Sequence, residues 1–391
     1  MRPFFKNHVL EQQPFKPMII VVDTTKAGSA SNTFVLPIIK DVTEVVKIEW
    51  GDGTSSMGVN GDNTHVYAAS GIYTVKIESK IFGGLYFNNG GDKAKITKIV
   101  TYGQGVSRLN ISSFYGCSSL LSIDIGDIVS NGTDASNQYR GCTALTTVPL
   151  FNLSKCTSTR SMFSLCSSLT TVPLFDLSSV TDAYAMFSSC TGLTTVPLLD
   201  FSKVTNCQSV FFGCTSLTSI PLLNLSSVTN AFAMFYQCTA LTTVPLFNLS
   251  NCTSTQSMFS LCSSLTTVPL FDLSSVTNAF AMFYFCTSLT TVPLFNLSNC
   301  TSTQSMFYQC TALTTVPLLN LSNCTNATNM FFGVTLTTQS YSDFLINLAT
   351  LPLQSGVSFH GGNSKYNLTA ATARAYLISN FGWTITDGGA A

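Results

Sequence analysis

A 24-residue repeat constrains the fold of this chain more than any other feature of its sequence. The stretch "VPLFNLSNCTSTQSMF" occurs at residues 244–259 and again, letter for letter, at residues 292–307. One proline marks each of eight units: Pro149, Pro173, Pro197, Pro221, Pro245, Pro269, Pro293 and Pro317. A fixed period of this length with recurrent leucine is typical of a leucine-rich solenoid, in which no unit can bury its apolar face alone. We therefore predict a solenoid over residues 148–334.

Local patterns predict the secondary structure of one unit. The segment "LTTVPL" (241–246) alternates apolar and polar residues as a short strand does, with Leu241, Val244 and Leu246 pointing inward. Residues 226–238 are expected to return the chain in one or two helical turns. A recurrent phenylalanine should form a stacked aromatic spine in the core. Its members are Phe163, Phe187, Phe211, Phe235, Phe259, Phe283, Phe307 and Phe331.

Twelve of the fourteen cysteines fall in two series that follow the repeat rather than a ligand motif. Eight recur every 24 residues: Cys142, Cys166, Cys190, Cys214, Cys238, Cys262, Cys286 and Cys310. A second series shares its column with valines: Cys156, Cys252, Cys300 and Cys324. A column that accepts Cys or Val requires a small apolar side chain, not a metal ligand or a disulfide partner. Because no C-x-x-C pair occurs, we predict neither a metal site nor a cofactor.

The N-terminal part of the chain has a different pattern. Residues 18–103 contain alternating strands broken by Gly-Asp-Gly and Ser-Gly, which is typical of a small β-sandwich. The stretches "WGDGT" (50–54) and "HVYAASGIYTV" (65–75) resemble the polycystic-kidney-disease (PKD) domain, an immunoglobulin-like module of extracellular proteins. The residues before Gly-Asp-Gly read "IEW" where the family usually has Trp-Asp-Phe. The resemblance implies an N-terminal PKD-like β-sandwich.

The repeats resemble the BspA-type leucine-rich repeats, whose units carry V-T-x-M-x-x-M-F-x-x-C-x-x-L. The first methionine of that pattern is replaced here, for example by Ala183, Ala231 or Thr255, whereas the second is kept, as at Met234. Members of that family are largely surface-exposed adhesins and phage virion proteins. The resemblance therefore implies recognition and not catalysis, and it specifies no ligand.

The ends of the chain complete the expected architecture. Residues 1–17 are predicted to be an arm that docks the protein on a particle, and residues 104–147 an irregular first coil that caps the solenoid. Residues 335–391 are predicted to cap the other end, because an open solenoid would expose apolar core.

Two helices, over 340–350 and 369–381, and a closing strand within 382–389 are predicted inside this C-terminal cap. The fold class is therefore mostly β with short helices. We expect a PKD-like β-sandwich, then a leucine-rich-repeat solenoid with a 24-residue period, then an α/β cap.

Composition and the N-terminal sequence limit the kinds of partner and the cellular location that we expect for this protein. Charged residues make up 9% of the chain and the net charge is zero, which argues against nucleic acid or an anionic membrane as a partner. The longest apolar run, "MIIVV" (18–22), is too short to insert across a bilayer. The start of the chain has no apolar core or cleavage site of a secretory signal. We therefore expect synthesis in a host cytoplasm.

These observations favour a phage virion surface protein, either a receptor-binding tail or fibre component or a head fibre or decoration. The arm and the PKD-like domain would contact other virion proteins. The alternative is a bacterial cell-surface adhesin of the BspA type. A homo-oligomer, such as the trimer common among fibre proteins, is left open, because no sustained heptads encode a stalk.

Motifs for catalysis are missing from the sequence. It contains no nucleophile elbow, zinc-protease or phosphate-loop motif, and no carboxylate pair recurs in the repeats. We expect Asp52 to be a hairpin-turn aspartate, because Asp-Gly is a leading two-residue turn, and His65 to belong to a strand. The prediction is a non-enzymatic protein.

Two variable columns flank the recurrent Met-Phe pair and hold the candidate ligand-binding residues. The first variable column contains Arg160, Tyr184, Gln208, Phe232, Gln256, Phe280 and Gln304. The second variable column contributes Phe212, Tyr236, Tyr284 and Tyr308. Either these side chains pack between adjacent coils, or they form an exposed ladder of aromatic and amide groups. An exposed ladder suits a neutral, hydroxyl-rich ligand such as a host-surface glycan, or a protein partner.

Overall fold

The structure, a computed structural model, describes residues 16–39, 45–79, 83–103, 112–124 and 132–391. These residues are mostly β, with two helices of 11 and 14 residues near the C-terminus. All but the last two residues of the predicted docking arm lie outside the described residues, as do parts of the predicted first coil.

Among the described residues, nine strands precede the repeats. They are β1 (Met18–Asp23), β2 (Thr33–Ile39), β3 (Val46–Glu49), β4 (Ser55–Gly58), β5 (Gly61–Val66), β6 (Ile72–Glu78), β7 (Gly84–Leu85), β8 (Ile96–Thr101) and β9 (Ser122–Ile123). One sheet has the order β4-β3-β6-β1-β8-β9 and the other the order β5-β2-β7. All pairs are antiparallel except β8 with β9, which is parallel. Both sheets contribute buried side chains to one hydrophobic core.

The turn between β3 and β4 follows from its sequence. The Trp50 amide donates to the Thr54 carbonyl oxygen at 3.1 Å, and the Asp52 carboxylate accepts from the Thr54 amide and hydroxyl. Gly51 has a φ of +88°, and a Cβ there would lie 2.5 Å from the Thr74 carbonyl oxygen, so only glycine fits. Asp52 is thus the predicted turn aspartate, and His65 lies on β5 as predicted.

Residues 132–334 form coils that stack at the 24-residue interval. Parallel bridges link one residue of each coil to its equivalent in the next, from Asp134–Ser158 through Ser302–Asn326. Between two central coils, alternate amides from Ala231 to Gln237 donate to carbonyl oxygens of the next coil at 2.8–3.0 Å. These hydrogen bonds satisfy backbone groups that would otherwise be buried without partners.

Two predictions about the repeat unit are wrong. Residues 226–238 contain successive tight turns and no helix, because Ala233 and Gln237 are left-handed, with φ of +52° and +60°. Alternate amides of this segment also bond to the next coil, so they cannot make the i to i−4 bonds of a helix. Residues 241–246 form no strand, and the side chain of Leu246 is 57% exposed where an inward position was expected. Leu241 and Val244 are buried as predicted.

The core of the coils confirms the predicted aromatic spine. All eight spine rings are buried, and successive rings lie 5.4–5.8 Å apart and within 2–8° of parallel. Each ring therefore packs on its copy in the next coil, which is how a unit without a core of its own gains burial. All fourteen cysteines are buried and free.

The stack is closed at both ends. At the N-terminal end the Phe114 ring lies 5.9 Å from that of Tyr139, and the hydroxyls of Tyr102 and Tyr139 share a hydrogen bond. At the C-terminal end the structure confirms both helices, as α1 (Thr338–Leu348) and α2 (Leu368–Phe381), and the closing strand, as β11 (Thr384–Thr386). The strand β11 pairs in parallel with β10 (Ser358–His360), which the sequence did not predict. The Phe359 ring of β10 packs edge-on against Phe331, the last ring of the spine.

Candidate ligand-binding face

The candidate residues all reach the surface of the coils. Arg160 is exposed, and the other ten are half-buried. Each coil therefore leaves part of these side chains in contact with solvent while the rest packs against neighbouring coils.

The first variable column is positioned by the bridge residue two places earlier. The side-chain oxygens of Asp182, Asn230 and Asn278 accept from the amides of Tyr184, Phe232 and Phe280 at 2.9–3.0 Å. Short polar side chains make this local turn because they reach their own backbone two residues on. The recurrence of Asn, Asp or Ser at that place is the sequence signal for the turn.

Neighbouring coils also join side chains in this column. The Arg160 guanidinium lies 4.1 Å from the centre of the Tyr184 ring, a cation–π contact. The amide oxygen of Gln256 accepts from Asn278 at 3.1 Å, and that of Gln304 accepts from Asn326 at 2.8 Å. Because its oxygen is held in this hydrogen bond, the side-chain amide of each glutamine is oriented, and its nitrogen can donate a hydrogen bond.

The second variable column forms short stacks of aromatic rings. The rings of Phe212 and Tyr236 are 4.7 Å apart and 2° from parallel. Tyr284, Tyr308 and Phe332 form a second stack with steps of 4.8 Å. Because the ring faces cover one another, these stacks offer mainly ring edges and tyrosine hydroxyls to solvent.

The Tyr284 hydroxyl on this face remains protonated at neutral pH. Burial raises the pKa of Tyr284, and the neighbouring Tyr308 and Tyr236 raise it further. Apart from Arg160, which lies 3.4 Å from the Asp182 carboxylate, the face presents neutral donors and acceptors beside apolar ring edges. Such groups can bind hydroxyls and small apolar patches, but they supply no proton-transfer pair.

The Asp52–His65 pair is the other polar contact of interest. The His65 Nε2 lies 2.8 Å from the Asp52 carboxylate, and the His65 ring stacks on Trp50. Partial burial opposes ionisation of Asp52, but hydrogen bonds from Thr54 and His65 lower its pKa to about 2. Asp52 thus stays charged and paired, as expected of a carboxylate that fixes a turn.

Among the described residues, no three His, Cys, Asp or Glu side chains lie together as metal ligands would. The same part of the chain holds no helix with the length and apolarity needed to cross a membrane.

Sequence reasoning missed a second recurring surface, which we call the leucine ladder. It consists of Leu150, Leu174, Leu198, Leu222, Leu246, Leu270, Leu294 and Leu318, which are 49–63% exposed. In seven of the eight units the next three residues are buried, exposed and buried, as Phe247, Asn248 and Leu249 are, and in the last unit the middle residue, Asn320, is half-buried. When that alternation is extended back by one residue, it places Leu246 outside. The residues after Pro245 therefore predicted the exposure of this leucine.

Comparison with known proteins gives one family. A sequence profile of the family described as "Mycoplasma protein of unknown function, DUF285" matches residues 133–246 and 239–344. The two matches together span residues 133–344, which is more than half of the 391-residue chain. No curated protein matches the chain.

Proposed function

Because the chain belongs to the family described as Mycoplasma protein of unknown function, DUF285, and is a BspA-like repeat protein, we propose that it is a non-enzymatic recognition protein. Its repeats act as a leucine-rich solenoid that presents the two variable columns to a ligand. The residues before the repeats act as a PKD-like sandwich that supports the solenoid. The two sheets formed by β1 to β9 contribute to one hydrophobic core, which supports this domain assignment.

The ordered, half-buried rings and amides of the variable columns carry this proposal. Side chains that already pack on neighbouring coils lose little conformational entropy when they bind, which favours affinity. Edges of Tyr284 and Tyr308 together with the Gln304 amide form a neutral surface of donors, acceptors and apolar carbon. We propose a glycan on a host surface as its ligand.

The ligand hypothesis can be tested with substitutions that the repeat itself provides. Serine occupies the second variable column at Ser188 and Ser260, so Tyr284→Ser and Tyr308→Ser should leave the coils folded. We expect the double variant to lose binding to a panel of bacterial surface polysaccharides and to whole host cells. Tyr376→Ser, an exposed tyrosine on α2, is the matched control and should bind as the unmodified protein does. Unchanged binding by the double variant would remove the variable columns from the proposal.

The place of action is proposed separately from the ligand. We propose that the protein lies on a phage virion, in a tail, fibre or head decoration, with the bacterial cell surface as the alternative. Immunogold labelling with an antibody to residues 148–334 distinguishes the two. Gold on particles supports the virion, and its position separates head from tail. Gold on the bacterial envelope supports the adhesin.

A further inference from the structure

The leucine ladder is an apolar surface that neither the fold nor the proposed ligand-binding face uses. Its eight members occupy the same place in eight successive coils and are 49–63% exposed. Single exposed leucines are ordinary in proteins, but an aligned row of eight is a contiguous apolar patch. A patch of this kind marks a contact surface.

The size of the ladder fits a stable protein interface. A leucine side chain that passes from water into an interface loses on the order of 100 Å² of accessible surface. Eight leucines would then bury roughly 800 Å² on one partner, which is the area of a standard protein–protein interface. The ladder is therefore large enough to form an interface without help from other residues.

The sequence segments that contain the ladder lack the positive charges that bind nucleic acids and anionic membranes. The seven-residue segments that contain it, such as "TTVPLFN" (242–248), hold no Lys or Arg in any of the eight units. Binding to nucleic acid or to an anionic membrane depends on such residues. The only charges in these segments are Asp176, Asp200 and Asp272. A neutral apolar surface of comparable length is the expected partner.

The spacing of the ladder identifies that partner. The leucines recur once in every coil, at the same position of each 24-residue unit. A second copy of this chain presents leucines at an identical interval, so two ladders stay in register over their full length. We propose that the leucine ladder is the interface through which two copies of this protein associate face to face, an isologous contact in which the same patch serves both partners.

Analytical ultracentrifugation of the full chain tests the proposal. The unmodified protein should associate, and the variant Leu222→Lys with Leu246→Lys, at the centre of the ladder, should associate at least about 100-fold more weakly. Each lysine replaces an apolar contact by a charge that would face another charge in the symmetric pair. Circular dichroism and the melting temperature of the variant establish that its coils remain folded.

Leu165→Lys is the matched control. Leu165 is 43% exposed and lies in a turn segment outside the ladder, nine residues before Leu174. It should leave association unchanged, whereas Leu174→Lys should weaken it at least about tenfold. The proposal is overturned if the unmodified protein stays monomeric up to about 100 µM. It is also overturned if the folded double variant associates as the unmodified protein does, or if Leu165→Lys weakens association as much as Leu174→Lys.

Discussion

The Cys262 Sγ donates a hydrogen bond of 3.0 Å to the carbonyl oxygen of Phe235, 27 residues earlier in the preceding coil. The same bond recurs for all eight cysteines of the 24-residue series, at 3.0–3.3 Å. Each of these eight positions therefore holds a small apolar side chain that also donates, whereas the position one period after Cys310 holds Val334. The second cysteine series accepts valine and requires only the small apolar side chain.

The two series should respond differently to valine. Cys262→Val removes the bond to Phe235 and adds a methyl group to a fully buried position, so we expect a loss of about 1 kcal/mol in the free energy of unfolding. Cys252→Val is the control. The Cys252 Sγ donates only within its own coil, to the Ser254 carbonyl oxygen at 3.1 Å, and Val228 and Val276 already occupy its column, so the substitution should change stability by less than about 0.5 kcal/mol. Urea titration measures both. Equal effects of the two substitutions would show that the bond to the preceding coil contributes nothing.

Stability should fall steeply in alkaline solution. Burial raises the pKa of Cys166, Cys214, Cys262 and Cys310 to about 12, from the 9.0 of a free thiol. Above pH 9 the unfolded chain loses these protons while the folded chain keeps them, so the stability present below pH 9 is lost as the pH rises towards 12. Each buried thiol contributes about 1.4 kcal/mol per pH unit to this fall.

Cys262→Val provides the control for the alkaline effect. Removing one thiol should reduce the slope of unfolding free energy against pH by about 1.4 kcal/mol per pH unit in the range just above pH 9. Urea titrations at several pH values give the slope. A variant with the slope of the unmodified protein would mean that Cys262 is accessible and titrates normally in the folded state.

The sequence predicted the features that depend on a side chain being buried at the same position of every repeat unit. The position of Phe235 in the spine follows from its recurrence, and α2 follows from an apolar pattern between Asn367, which caps it, and Gly382. The path of the chain between buried residues was not predictable in the same way. Ala233 is left-handed although alanine favours helices, because its amide bonds to the next coil. Such bonds arise only when coils stack, and one isolated unit does not encode them.

For the candidate site, the repeat showed which positions vary but not whether the side chains at those positions are buried or exposed. The sequence placed Tyr284 and Tyr308 next to the core residues Phe283 and Phe307 and left open whether their side chains pack or are exposed. The structure shows that their rings do both, since each covers its neighbour and keeps an edge in solvent. Leu246 was placed inside because the alternation of apolar and polar residues was continued from Val244 across Pro245. The inward register is set by Phe247 and Leu249, after the proline.

One buried hydroxyl offers a route to a more stable protein. The Thr255 Oγ1 is buried and has no hydrogen-bond partner among the described residues. Thr255→Val keeps the shape of the side chain and removes the cost of the unpaired hydroxyl, so we expect a gain of about 1 kcal/mol in unfolding free energy. Thr303 occupies the same column two coils later, but its Oγ1 lies 3.3 Å from the Cys324 Sγ and shares a hydrogen bond with it. Thr303→Val should therefore not stabilise, and thermal unfolding of the two variants compares them directly. A gain at both positions would contradict the hydrogen-bond argument.

Backbone strain at Leu165 can be relieved in a similar way. Leu165 has a φ of +66°, and the same column holds glycine at Gly213 and Gly333, with φ of +69° and +77°. A non-glycine residue in this conformation costs roughly 1–2 kcal/mol, while glycine gains about 0.5–1 kcal/mol of entropy in the unfolded chain. Leu165→Gly should therefore raise the free energy of unfolding by up to about 1 kcal/mol. Leu174→Gly, at an exposed leucine outside the left-handed region, should lower it by about 0.5–1 kcal/mol. Urea titration of both variants measures the contrast, and a loss at both positions would mean that the Leu165 side chain stabilises the coil by more than its backbone strain costs.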